Sequence, residues 1–165
     1  MYFYIKLRSE YRQYINMIDD SKEKIKDKLI QYAIALDSRN WNCLDYIFHE
    51  NAVATYGSKK FNFVLETNSR IEILKMCKDS LGGCGTTQHL LSNFRINIKS
   101  DQATSECYVR AYHVGLPPNE NESYEMYGEY QDSWKLFGND WMIEKRILRV
   151  DHETGNREKV LAPGD

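Results

Sequence analysis

ATSECYVRAYHV, residues 103–114, is the stretch whose alternation decides the fold. A strand sends successive side chains to opposite faces. The odd positions here are Ser105, Cys107, Val109, Ala111 and His113, small and mostly apolar, and the even ones are Thr104, Glu106, Tyr108, Arg110 and Tyr112. This pattern predicts a strand with one face turned inward. Small side chains on that face leave volume that larger ones would fill, so Cys107, Val109 and Ala111 are expected to line a hollow, with His113 at the end of the row.

The segments on either side share the texture: 88–98, 122–137 and 140–151 alternate too, and they are joined by Ser100-Asp101, by 115–121 and by Gly138-Asn139, which suits a two-residue hairpin. In 122–137 the even set is Tyr124, Met126, Gly128, Tyr130, Asp132 and Trp134, facing away from Glu125, Glu129 and Lys135. A cavity walled by Tyr124, Met126, Tyr130 and Trp134 suits a flat, partly aromatic ligand. In 88–98, Phe94, Ile96 and Ile98 share one parity while His89 and Leu91 take the other, so a bulge is expected between them.

Upstream the period changes to that of helices. Tyr4, Leu7, Tyr11, Ile15 and Ile18 predict a leading helical arm over 1–20. Asp20 with Glu23 has the reciprocal-cap pattern and opens a helix whose Ile25, Leu29, Tyr32 and Leu36 share a face as far as about Asp37. Asn40 can cap a short second helix with Leu44, Ile47 and Phe48 inward, before a break at 49–51. Runs 52–56 and 61–65 flank turn residues 57–60 and predict a hairpin. Ser69 with Glu72 opens a further helix burying Ile71, Leu74, Cys77 and Leu81, ended by Gly82-Gly83 in left-handed geometry. Helices first and an antiparallel meander after them is the order of an α+β fold, with one sheet face curled over the helices. The expected organisation is an arm (1–20), one domain (21–151) and a tail (152–165).

The 165 residues, 42% hydrophobic, suffice for one sizeable core. A formal charge of -2 without blocks of like charge gives no footprint for nucleic acid. The four cysteines Cys43, Cys77, Cys84 and Cys107 form no CxxC pair and no disulfide framework, which fits reduced thiols in a cytoplasm. No apolar run approaches the length of a signal-peptide core or a membrane span. The expected partner is a small molecule, and a homodimer or higher homo-oligomer is expected, with the outer sheet face and the arm offering a two-fold contact.

Asp37 ends a helix, where the dipole disfavours a carboxylate. That misfit suggests a task, and the alternative is a turn former bonded to the backbone of Ser38-Arg39-Asn40. Tyr56 reads most simply as a strand aromatic, Cys77 and Cys84 as core thiols, and His49 and His152 as surface residues.

The segments Ala35-Leu36-Asp37-Ser38-Arg39-Asn40-Trp41, Ala54-Thr55-Tyr56-Gly57, Thr86-Thr87-Gln88-His89-Leu90 and Tyr112-His113-Val114-Gly115 occur in that order, followed by a hairpin carrying Trp134 and Trp141. Over 22–151 this arrangement resembles the SnoaL-like branch of the cystatin-like (nuclear transport factor 2-like) superfamily, in which scytalone dehydratase is a characterised member. The resemblance implies a cone: a curved mixed sheet around three helices, with a deep pocket at one end. It also implies roles: His89 as the acid–base group, Asp37 as its orienter, His113 as a second histidine across the pocket, and Tyr56 as one of two tyrosines that hold a water on the substrate carbonyl. The second tyrosine falls on Leu36, and the dehydratase's serine and asparagine fall on Gly128 and Tyr130. The polar contacts to substrate therefore differ while the histidine–aspartate pair remains.

The chemistry explains these residue types. Removing a proton beside a carbonyl and expelling a β-hydroxyl needs a group that accepts and returns a proton near neutral pH, which histidine does with an ordinary pKa of about 6.5. A carboxylate on its other nitrogen fixes the tautomer. Tyr56 and His113 could then hold the enolate oxygen as neutral donors. These steps call for no cofactor and no metal. The expected activity is that of a lyase (dehydratase) or isomerase acting on a small hydroxylated carbonyl or polycyclic compound. The alternatives are a non-catalytic binding or assembly module of the same fold, and a transition-metal site built from Asp37, His89 and His113.

Overall fold

The computed structural model describes residues 2–58, 60 and 62–162, and for 2–9 the backbone alone. The expected contributions of the Tyr4 and Leu7 side chains and of Phe61 lie outside the described residues.

The first helix, α1 (Tyr2–Ser38), runs unbroken through the expected boundary at Asp20. In place of a cap, Asp20 makes an exposed ion pair with Lys24 one turn on, at 2.7 Å. The predicted stripe holds: Ile25, Leu29, Tyr32 and Leu36 are all buried. α1 ends in a left-handed residue, Arg39, with φ 58°. The Asn40 amide donates to the Ala35 carbonyl (3.0 Å) and the Arg39 amide to Leu36 (3.3 Å), the two bonds of a Schellman end. A 3-10 turn (Trp41–Tyr46) follows without any side-chain cap from Asn40, and it leads straight into strand β1 (Phe48–Ser58), so the expected break at 49–51 is an irregular strand start.

β2 (Phe63–Thr67) returns antiparallel to β1. The helix α2 (Arg70–Leu81) is capped by Ser69, whose Oγ accepts from the Glu72 amide at 3.2 Å, while the Glu72 carboxylate accepts from the Asn68 amide at 2.7 Å. Its buried stripe is Ile73, Cys77 and Leu81, with Leu74 half-buried; Ile71 points out and is exposed, against expectation. Gly82 keeps right-handed helical geometry (φ -57°) and bonds back to the Lys78 carbonyl, so the left-handed stop is absent.

β3 (Thr87–Lys99), β4 (Gln102–Val114), β5 (Ser123–Phe137) and β6 (Asp140–Gly155) form the meander, and a one-turn helix, α3 (Arg157–Val160), follows. The sheet order is β2-β1-β6-β5-β4-β3, antiparallel throughout except for β1 beside β6. Gly138 takes φ +64° in the two-residue turn between β5 and β6. The inward row of β4 from Ser105 to His113 is buried, as is that of β5 except at half-exposed Gly128. The β3 bulge falls between Ser92 and Arg95, with Asn93 at φ 55°. α1 packs on β3, and α2 on β1 and β2. The sheet thus wraps three helical pieces, as an α+β roll. The expected tail is instead structured: β6 runs to Gly155, and Val160 is buried.

Candidate active site

Asp37 meets His89 because the end of α1 is tied to the start of β3. Arg39, turned by its left-handed backbone, donates to the carbonyls of Leu36 (2.6 Å) and Gly85 (3.0 Å) and to the Thr87 hydroxyl (2.8 Å). It clamps the end of α1 to the start of β3. The Asp37 carboxylate then accepts three bonds: Oδ1 from His89 Nδ1 at 2.7 Å and from Thr87 Oγ1 at 3.0 Å, and Oδ2 from the His89 backbone amide at 2.9 Å. None goes to the turn 38–40, so the turn-former alternative for Asp37 is not what the side chain does. Burial pushes the Asp37 carboxyl up, and the bonds from His89 and Thr87 more than offset this, holding it below its ordinary value. A carboxylate on Nδ1 requires the proton there, which leaves Nε2 of a neutral His89 with its lone pair.

His89 lines a cavity of about 170 Å³. Leu36, Tyr56, His113, Tyr124, Met126 and Tyr130 line it too, as the sequence leads one to expect. Cys107, Val109, Ala111 and Trp134 do not: they are packed in the core, and the Trp134 indole donates to Ser105 Oγ at 2.8 Å. Parity correctly turns these four inward, but the cavity occupies only one end of the inward face. An apolar hollow on the order of 150 Å³ accommodates a single six-membered ring.

The β3–β4 register pairs Thr87 with His113 and places His89 diagonally across on the same face. The two imidazoles meet edge to face, with centroids 5.4 Å apart. Burial, then the neighbouring His89, lowers the His113 pKa from 6.5 to about 4. His113 Nδ1 lies 3.2 Å from the Tyr124 carbonyl, which only accepts, so the proton sits on Nδ1. Nε2 of neutral His113 is thus an acceptor, and the expected donation from this ring to an enolate is unavailable.

Donors come instead from tyrosines. The Tyr56 hydroxyl is buried beside that of Tyr32, and among the described residues it closes no hydrogen bond of normal geometry. Tyr32 and Tyr130 line the same cavity, their rings edge to face at 5.8 Å. Burial raises all three hydroxyls well above their ordinary range, so they stay protonated and can donate. Tyr32 was legible as a pocket residue: it lies four positions before Leu36 on one helix face. Thr87 and Arg39, also unassigned from sequence, carried no signal beyond standing inside the quoted motifs. Gly128 explains one departure from the dehydratase pattern, since a Cβ there would stand 2.3 Å from the Arg149 carbonyl oxygen. The chain shifts register at that point, so no serine fits.

Among the described residues no three His, Cys, Asp or Glu side chains are disposed to hold a metal ion, and no helix is long and apolar enough to cross a membrane.

No curated protein sequence matches the chain significantly. Among solved structures, the Kfla4162 protein of Kribbella flavida superposes with a TM-score of 0.74 at 16% identity, covering 83% of this chain and 95% of its own. A protein of Novosphingobium aromaticivorans, provisionally assigned as a scytalone dehydratase, gives 0.70 at 21% identity over 90% and 94%. Hexachlorocyclohexane dehydrochlorinase LinA-type3 of Novosphingobium barchaimii gives 0.68 at 16% identity over 87% and 95%. At such identities the likeness is one of fold, the nuclear transport factor 2-like roll. The model of the SnoaL-like domain matches residues 20–147, most of the chain, and the protein therefore belongs to the SnoaL-like domain family.

Proposed function

We propose that this protein is a cofactor-independent lyase of the dehydratase type, or an isomerase, acting on a small hydroxylated carbonyl compound. The observation that carries the reading is the Asp37–His89 pair, whose ring opens on a cavity that the buried Tyr56 hydroxyl also lines. His89 Nε2 takes the proton from the carbon beside the substrate carbonyl. Tyr56, supported by Tyr32 and Tyr130, donates to the carbonyl oxygen as charge develops there, an interaction worth about 3 kcal/mol per donor in comparable sites. Asp37 stabilises the imidazolium, which then returns its proton to the departing hydroxyl, so that one water leaves and a double bond forms. In an isomerisation the same proton returns to a different carbon. The exposed Leu90, Tyr108, Tyr112 and Tyr127 on the outer sheet face support a homodimer.

The test is a mass-spectrometric screen of small β-hydroxy ketones and hydroxylated aromatic ketones. Turnover by the wild type is expected to drop about 10²–10⁴-fold in His89→Ala. Full activity in that variant would overturn the assignment, and binding without any product would leave the protein a non-catalytic binding module.

A further inference from the structure

A row of side chains crosses the cavity wall away from the proposed base. His113 stands against His89, Tyr124 stacks on His113 with centroids 5.4 Å apart, and the Tyr124 hydroxyl donates to Oε1 of Glu153. Glu153 also lines the cavity, and the reaction proposed above does not use it. It reaches this wall through a register slip. β6 buries Val150, turns Asp151 and His152 outward, and after the irregularity opposite Tyr127 and Gly128 brings Glu153 back inside.

Only 4% of Glu153 is exposed; Ser58 Oγ donates to its Oε2 and Tyr124 to its Oε1, while Lys60 Nζ donates to its backbone carbonyl at 3.3 Å. Glu153 takes part in no ion pair among the described residues. A carboxylate offers about four lone-pair sites, so acceptor capacity remains beside the cavity. In an apolar wall such a group gains from any further donor, and a site built around an acceptor rejects molecules lacking the matching hydroxyl. Arg157, whose guanidinium lies over the Phe63 ring with its carbon 5.3 Å from the centroid, lines the same cavity and disfavours a cationic ligand, which leaves a neutral hydroxyl as the fitting donor.

We propose that Glu153, held by Ser58 and Tyr124, is a specificity-determining residue that binds a phenolic or alcoholic hydroxyl of the substrate at the end of the cavity away from His89. The proposal rests on the small-molecule reading above and narrows it to compounds carrying a second oxygen remote from the reacting carbon.

Three probes test it by calorimetric titration of the full chain: 3-hydroxyacetophenone, acetophenone and 3-methoxyacetophenone. The wild type is expected to bind the hydroxy compound at least about tenfold tighter than the other two. Glu153→Gln, with folding checked by its thermal melt, is expected to bring that ratio to about threefold or less. A wild-type ratio near one, equal binding of the methoxy compound, or a ratio that survives in folded Glu153→Gln would overturn the proposal while leaving the His89 reading intact. Should Glu153→Gln not fold, the wild-type ratios for the three probes decide. Failure of the wild type to bind any of the three would overturn both readings.

Discussion

Asp132 and Asp37 each bind a nitrogenous side chain at 2.7 Å, and they do opposite things. Asp132 holds Arg146 through both oxygens, at 2.7 and 2.8 Å, with neither side chain exposed at all. The guanidinium lies 4.2 Å from the ring centroids of both Tyr32 and Tyr130. Asp37 holds His89 with the aspartate side chain 25% exposed and the ring against a cavity. Arginine never gives up its proton in such a setting, so the first pair can only hold structure. Histidine exchanges a proton near neutral pH, so the second can do chemistry. Burial of charge does not mark a site; a proton that can move, beside space for a ligand, does.

The contrast can be broken at its stronger end first. Asp132→Ala leaves the Arg146 guanidinium buried without its counter-charge, and denaturant unfolding is expected to show a loss of about 3–5 kcal/mol. A loss under about 1 kcal/mol would mean that water or another acceptor reaches Arg146.

His113 sharpens the comparison from the pH side. An unfolded chain takes up its proton below the ordinary 6.5, and the folded chain takes it up only below about 4, so between these values the unfolded state binds more protons. Stability is therefore expected to fall by about 3 kcal/mol from this group as pH drops from 6.5 to 4. Asp37, whose folded carboxyl is held low, acts in the same direction from its ordinary 3.8 downward as pH falls through its folded value. In His113→Gln the slope between pH 4 and 6.5 should flatten; an unchanged slope would assign it to other groups.

The smallest effect concerns the clamp. Thr87→Val removes one donor to Asp37 and the acceptor used by Arg39. Once a substrate is in hand, a fall in kcat of about tenfold with KM little changed is expected. A change confined to KM would place Thr87 in binding and not in orientation.

Much of this was legible in the sequence. Period alone gave the helical stripe of Ile25, Leu29, Tyr32 and Leu36, the bulge in β3 and the inward row ending at His113. The start of α2 at Ser69 was legible too, but that of α1 was not, because Asp20 has the same local pattern at a cap as in mid-helix, where Lys24 satisfies it. Cys107, Val109, Ala111 and Trp134 show the limit of parity: it separates inside from outside but does not say where the inside is hollow. Glu153 was invisible, since a register slip between β5 and β6 resets the alternation just before it. Arg39 was invisible too, because nothing local favours a left-handed arginine; its five contacts around the Asp37–Thr87 junction do.

The protonation pattern of His89 decides whether Asp37 poises it as the base, and long-range proton–nitrogen NMR of histidine-labelled protein reads that pattern directly. In the neutral ring the proton is expected on Nδ1, against Asp37, with Nε2 bare toward the cavity. In Asp37→Asn, where the side-chain amide can donate to Nδ1, the proton is expected to move to Nε2. A wild-type proton on Nε2, or the same pattern in both proteins, would contradict the claim that Asp37 poises His89 as the base.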